Sequence, residues 1–290
     1  MKGIILAAGK GTRLHPASLP ISKILLPVYD KPMIYYPLSN LIMGGIREIL
    51  VITNEEDDNK FRKLLGDGSQ FGIKIDYMIQ YVQRGISDAF LIAEDWIDGD
   101  DVVLILGDNI FYGRGLEETI ASALKKNTGA VVFGYAVDDP ERFGVVEFDE
   151  SRKVLSLEEK PKEPKSNFAV VGLYFYDGNV CEYAKKLNLS DRGELEITDL
   201  NKIYMNEGRL RVEVFDENIG WMDAGTFDSL LDAGNSIREV RKDTGVNVGC
   251  PEESALKKGF VTKKNVLEWI GKFKNNDYRE YVEEICERYG

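Results

Sequence analysis

The feature that most limits what this chain can become is a set of short runs too apolar to leave one face in water. They are KGIILA (2–7), IREILVIT (46–53) and, most apolar of all, VVLIL (102–106). Each reads as a buried strand. Between them, residues 33–44, 57–65, 88–97 and 115–126 have helical spacing, and IKIDYMI (73–79) alternates as a further strand. Near-continuous apolar strands alternating with helices predict an α/β, Rossmann-like sheet, mixed but mainly parallel, with helices on both faces. From residue 130 the pattern changes to strands joined by short charged loops, AVVFGYAV, GVVEFD, KVLSLEE and AVVGLYFYD. They extend the same sheet. Charge-rich segments with apolar teeth, 226–243 and 252–289, add a C-terminal helical segment. The organisation expected is a core over 1–225, divided near 128/129, and a helical segment over 226–290 that serves as an assembly surface.

With 290 residues, 43% of them hydrophobic, the chain can bury one large core. No apolar stretch approaches the ~20 residues of a membrane-spanning helix. The apolar part of the N-terminus stops after Ala8, which fits a first strand better than a signal peptide. A net charge of -12 argues against nucleic acid and anionic membranes as partners. A polyphosphate would also be repelled unless cations gather locally, and Lys10, Arg13, Lys23 and Lys31 supply such a group. His15 is the one histidine, so a multi-histidine metal site is excluded and any metal must be held by oxygen, which points to Mg2+. Cys181, Cys250 and Cys286 show no metal-ligand spacing and read as buried thiols of a reducing cytoplasm.

Directly after the first strand comes Leu6-Ala7-Ala8-Gly9-Lys10-Gly11-Thr12-Arg13-Leu14. Small residues let backbone N–H groups close around phosphates, and Lys10 and Arg13 add charge. A Walker loop is excluded because Gly11, not Ser or Thr, follows Lys10, and a dinucleotide fingerprint because Leu14 stands where a third Gly is needed. Taken alone, the loop is equally compatible with an ordinary Gly-rich turn. Ser22-Lys23-Ile24-Leu25-Leu26-Pro27-Val28 and Lys31-Pro32-Met33 follow, then LLGDGSQFG, LILGDNIFYG, DPERFGVVEFD, SLEEKPKEPKSNFAVVGLYFYD, RGELEITDLN and CPEE. In this order, from residue 1 to about 280, these motifs resemble those of the sugar nucleotidyltransferases, and most closely the glucose-1-phosphate thymidylyltransferases.

The resemblance implies a reaction of dTTP with α-D-glucose 1-phosphate, giving dTDP-glucose and pyrophosphate. It assigns the nucleotide to about 1–128 and the sugar to about 129–225. Leu6, Ala8, Gly9, Gly11, Thr12, Arg13 and Lys23 would surround the triphosphate, and Gln80 and Gly85 the base. Asp108 and Asp223 would hold Mg2+, a role that also suits a carboxylate at the carboxyl rim of a parallel sheet. Gly144, Glu159, Lys160, Val170 and Trp221 would bind the sugar phosphate, with Arg13, Lys23, Asp108, Lys160 and Asp223 as the catalytic set. The family further implies a cytoplasmic homotetramer that feeds dTDP-rhamnose and polysaccharide biosynthesis. Inhibition by dTDP-rhamnose would act at a second site between subunits, where Glu217 and Lys257 stand in place of arginines.

This chemistry suits the residues. A phosphate monoester, with a second pKa of ~6, is already mostly dianionic at neutral pH and needs no general base. Catalysis is then positioning and charge neutralisation. Other readings are a uridylyltransferase or another sugar-1-phosphate nucleotidyltransferase on the same fold, a metal-dependent glycosyltransferase, and a nucleotide-sugar sensor without catalysis. The glycosyltransferase would need an Asp-x-Asp pair after a strand, where Gly107-Asp108-Asn109 offers one acid. Relatives usually carry Gly at Ala8, Tyr at Phe143 and, at Ile24, a Gln that helps to read the base. Ile24 therefore predicts use of UTP beside dTTP.

Overall fold

The protein is described from a computed structural model that covers residues 1–125 and 129–289. The end of the helix expected over 115–126, the division near 128/129 and the last residue of 226–290 lie outside the described residues. The first half contributes strands β1 (Lys2–Leu6), β2 (Pro27–Val28), β3 (Lys31–Pro32), β4 (Glu48–Thr53), β5 (Lys74–Ile79), β6 (Val102–Leu106) and β7 (Asn109–Gly113). Its helices are α1 (Tyr35–Met43), α2 (Asp58–Leu65), α3 (Asp88–Ile92), α4 (Glu94–Ile97) and α5 (Leu116–Lys125). The second half adds β8 (Ala130–Ala136), β9 (Gly144–Phe148), β10 (Val154–Glu159), β11 (Phe168–Tyr176), β12 (Leu210–Val214) and β13 (Ile219–Asp223). Its helices are α6 (Val180–Ala184), α7 (Ile197–Asn206), α8 (Phe227–Thr244), α9 (Pro251–Lys257), α10 (Lys263–Ile270) and α11 (Asp277–Tyr289).

Nine strands form one sheet in the order β10-β9-β11-β6-β1-β4-β5, with β8 also on β11 and β12 on β8. The strands β6, β1, β4 and β5 are parallel, whereas β11 runs antiparallel to β6, β8 and β9. This is the mixed α/β sheet expected. Its strands lack alternation because both faces are buried. Ile5, Val51, Val103 and Ile105 enter one cluster with Leu38 and Leu41 of α1 and Ile237 of α8. Their neighbours Ile4, Leu50, Val102 and Leu104 enter another with Phe90, Val180 and Leu200.

The helix expected over 88–97 is interrupted at Ala93, which leaves helical geometry. The stretch 252–289 forms three helices rather than one. Gly259 takes a positive φ of 67° and Thr262 caps α10 through the Asn265 N–H. The tail is tied to the core, with Ala255 in the first cluster and the Ser39 and Ser254 hydroxyls 2.7 Å apart. Lys31, expected among the phosphate-facing cations, belongs to this tie instead. It is buried, pairs with Asp30 and donates to Asn247 Oδ1 (2.6 Å) and to the Val248 carbonyl (3.1 Å). Burial lowers its pKa, and Asp30 opposes the shift. The three cysteines are buried free thiols, as expected.

Candidate active site

The parallel strands end together at their carboxyl rim, where open α/β sheets bind ligands. Leu6 of β1 is in register with Ile52 and with Leu106, and the phosphate-loop candidate begins one residue beyond. Gly11 has a φ of 61° and starts the short helical turn Thr12–Leu14. A side chain at Gly11 would bring its Cβ to 2.9 Å from Lys23 Cβ, and Gly9 lies 3.9 Å from Lys23 Cε on the same measure. These glycines therefore leave the channel along which the Lys23 stem runs. At its end the ammonium pairs with the Asp108 carboxylate.

Asp108 follows β6 directly. A two-stranded antiparallel sheet, which the sequence did not reveal, brings its partner acid to it. The strands β7 and β13 pair with Asn109 opposite Asp223, and the Ala224 N–H donates to the Asp108 carbonyl (3.1 Å). The two acids titrate in opposite directions. Burial would raise the Asp108 pKa, but the charge and hydrogen bond of Lys23 and the amide of Asn109 hold it below the usual carboxylate range. Burial and the negative charge of Asp108 raise the Asp223 pKa, and Lys23, Arg13 and Arg142 offset only part of that. Arg13 reaches over from the phosphate loop, its Nη2 2.8 Å from the point a Gly225 Cβ would occupy.

The far wall comes from the second half of the chain. Glu159 closes β10 opposite Gly144 of β9, accepts a hydrogen bond from Thr198 Oγ1 (2.6 Å) and faces Arg192 Nη2 at 3.3 Å. Lys160 has a φ of 45°, a conformation costly for a side chain of its size, and its N–H donates to the Phe143 carbonyl (3.0 Å). Trp221 stands edge-on to Phe143 at 5.3 Å. Arg13, Asp108, Gly144, Glu159, Lys160, Val170, Trp221 and Asp223 line one cleft of ≈ 310 Å³. Leu6, Ala8, Gly9, Gly11, Thr12, Lys23, Gln80 and Gly85 lie outside that lining, with Leu6 at the end of β1, Gln80 just after β5, and Gly85 against Leu195.

Sequence reasoning gave no role to Asn109, Arg142, Tyr174 or Thr198, which also line the cleft. Asn109 is the hub among them. Its Nδ2 donates to Asp108 (3.1 Å), and its Oδ1 accepts from the Gly172 N–H (2.9 Å) and Trp221 Nε1 (2.7 Å). The only local signal was Gly-Asp-Asn, which reads as a turn. Ile24, where relatives carry a Gln, is 2% exposed, lies in the core and packs against Gly107. The donor set suits a hard cation. Among the described residues no three His, Cys, Asp or Glu side chains form a metal cluster, and two mostly enclosed carboxylates suit an ion such as Mg2+ that keeps water and phosphate oxygens as its other ligands.

Comparison with known proteins identifies the family. Residues 2–240 match the nucleotidyl transferase family. The chain is 51% identical over 282 residues to the glucose-1-phosphate thymidylyltransferase of Neisseria gonorrhoeae, covering 97% of this chain and 98% of the other. It is 50% identical over 288 residues to that of Mycolicibacterium smegmatis, covering 99% and 100%. A Bacillus anthracis protein assigned as a glucose-1-phosphate thymidylyltransferase, crystallised with sucrose, superposes with a TM-score of 0.75 at 44% identity, over 82% of this chain and 96% of that one. A UDP-glucose pyrophosphorylase bound to UDP-glucose shares the fold, with a TM-score of 0.72 at 23% identity over 83% of this chain and 99% of its own. The chain thus belongs to the nucleotidyl transferase family and, within it, to the glucose-1-phosphate thymidylyltransferases.

Proposed function

We propose that this chain transfers a thymidylyl group from dTTP to α-D-glucose 1-phosphate, with release of pyrophosphate. The observation that carries the reading is one cleft lined together by Arg13, Asp108, Glu159, Lys160 and Asp223. The relatives' names supply the substrates. The sugar phosphate, already dianionic, attacks the α-phosphorus in line with the departing pyrophosphate. Arg13 and Lys23 balance the triphosphate charge and Lys160 the sugar phosphate. Glu159, already engaged by Thr198, accepts from a sugar hydroxyl. Asn109 and Trp221 keep the Asp108 side of the cleft in register. Asp108 and Asp223 would hold Mg2+, which when bound would supply neutralisation of phosphoryl charge. Gln80 and Gly85 serve the base. We further assign nucleotide and sugar to about 1–128 and 129–225, and assembly of a cytoplasmic homotetramer in the dTDP-rhamnose route to the 226–290 segment.

Pyrophosphate release across dTTP, UTP, GTP, CTP and ATP with glucose 1-phosphate tests the reading. We expect dTTP to be fastest and chelation of Mg2+ to stop the reaction. With Ile24 in the core, the thymine methyl is all that separates the base of dTTP from that of UTP, worth about 10–200-fold in a dTTP–dUTP comparison, and the 2′-hydroxyl of UTP is a second difference. Pyrophosphate release fastest with any other nucleotide would refute the assignment.

A further inference from the structure

Gln80 follows β5 at the same carboxyl rim, its N–H donating to the Thr53 carbonyl at the end of β4 (2.8 Å). Its loop is latched to the phosphate loop, because Gln83 Nε2 donates to the Ala8 carbonyl (2.6 Å). The other side of the loop docks on the chain before α7, where the Leu195 N–H donates to the Arg84 carbonyl (2.6 Å) and the Ser87 N–H to that of Leu195 (3.3 Å). A primary carboxamide held in this way still has two faces of opposite polarity, an oxygen that accepts and an NH2 that donates. Its neighbour decides which face points outward.

That neighbour is Asp88, which is 1% exposed at the start of α3. Its two oxygens are separately engaged. Oδ2 accepts from Gln80 Nε2 (3.0 Å) and Oδ1 from Arg84 Nη2 (2.8 Å). A carboxylate offers acceptors only, so the NH2 of Gln80 must turn inward. Among the described residues, Gln80 Oε1 is neither bonded by the protein nor one of the fully enclosed polar atoms without a partner.

We propose that Asp88, pinned by Arg84, is a positioning residue that fixes Gln80 with its oxygen outward and thereby selects bases carrying an imide N–H, thymine and uracil, against cytosine. This inference rests on the proposed role of Gln80 at the base. An outward acceptor pairs with N3–H of thymine but meets the N3 lone pair of cytosine, which is unfavourable and leaves a polar group unpaired.

The test uses Asp88→Asn, which keeps the shape. Arg84 has only donors, so it would hold the oxygen of the new amide and turn its NH2 toward Gln80. Gln80 would then offer its oxygen inward and its NH2 outward. Calorimetric titration of the full chain with dTTP and with dCTP, in Mg2+ buffer, reads the outcome. In the wild type we expect a preference for dTTP of about 100-fold or more. Asp88→Asn should lower that ratio at least about tenfold, with dCTP binding tighter in absolute terms, an effect no general loosening of the loop produces. Adding Arg84→Ala should return part of the dTTP preference. If the isosteric variant does not fold, Asp88→Ala leaves the amide free to turn and should likewise tighten dCTP. Equal weakening of both nucleotides, or an unchanged ratio, would overturn the inference. The reading beneath it fails separately. A wild type that favours dTTP in binding yet releases no pyrophosphate with glucose 1-phosphate keeps the inference and loses the activity. One that consumes glucose 1-phosphate but binds dTTP and dCTP alike does the reverse.

Discussion

Asp108 has a lysine in contact and Asp223 faces chiefly another acid, so replacing each should have the same effect on activity and opposite effects on stability. Asp108→Asn and Asp223→Asn are each expected to lower turnover more than about tenfold, a loss above ~1.4 kcal/mol of barrier reduction. Either variant retaining more than that would remove the residue from the catalytic set. In metal-free buffer at pH 7, Asp108→Asn leaves the Lys23 ammonium, only 12% exposed, without its counter-charge, and should cost ~1–3 kcal/mol. Asp223→Asn removes a carboxylate whose ionisation the fold opposes, and should leave the melting temperature unchanged or higher. Thermal melts of the two variants decide this. The sign follows from proton binding. A lowered native pKa contributes stability above the unfolded pKa, and a raised one costs stability there.

At the scale of the element, β11 changes register between Val170 and Tyr174, and the Gly172 N–H, turned out of the ladder, binds Asn109. A Cβ at Gly172 would lie 2.7 Å from Asn109 Oδ1 and 2.7 Å from Leu106 Cδ1. Gly172→Ala should therefore cost about 1–3 kcal/mol by overpacking and also lower turnover, because Asn109 holds Asp108 and Trp221 together. Denaturant unfolding beside steady-state kinetics tests both, and a fully active variant would show that the hub is dispensable. Helix α9 offers a pH test. Glu252 is fully enclosed, accepting from Tyr278 (2.6 Å) on one oxygen, while the other has no hydrogen-bond partner among the described residues. Burial raises its pKa. The native state then binds the proton more tightly than the unfolded chain, so this group lowers stability as pH rises above the unfolded value of ~4.3. Melting curves of Glu252→Gln between pH 5 and 8 should be flatter than those of the wild type and higher at pH 8. Parallel curves would contradict the assignment.

For the molecule as a whole, a second cavity of ≈ 290 Å³ lies between α1, β7, α5 and α9. Lys257 and Lys258 line it, but Glu253 and Glu117 already engage them at 2.8 and 2.6 Å. Glu217 stands exposed in the turn between β12 and β13. A diphosphate would find these lysines committed to acids, and Glu217, where the resemblance implies an arginine, would offer a carboxylate in place of a cation. We therefore expect dTDP-rhamnose to inhibit weakly when dTTP is saturating, and Glu217→Arg to strengthen it. Inhibition at low micromolar concentration, matching ~8 kcal/mol of binding, would rule this out.

Much of the fold was legible in the chain because two-sided burial writes itself locally. VVLIL and IREILVIT could be little else than covered strands, and the Gly-rich loop after KGIILA marked where the first strand ends at the carboxyl rim of the sheet. What spacing does not carry is pairing between distant segments. NIFYG and IGWMD are too short and too mixed to announce strands, yet their register sets Asp108 beside Asp223. Nor does spacing say which way a side chain turns. Lys23 and Lys31 stand eight residues apart with the same charge, and one reaches Asp108 while the other is buried under the tail. Ile24, next to Lys23, faces the core because adjacent residues of a tight turn point apart. Residue types and local burial were thus decided by the sequence alone. Which of those residues meet was decided by the tertiary structure, because contact depends on register and facing direction, which only the packed sheet sets.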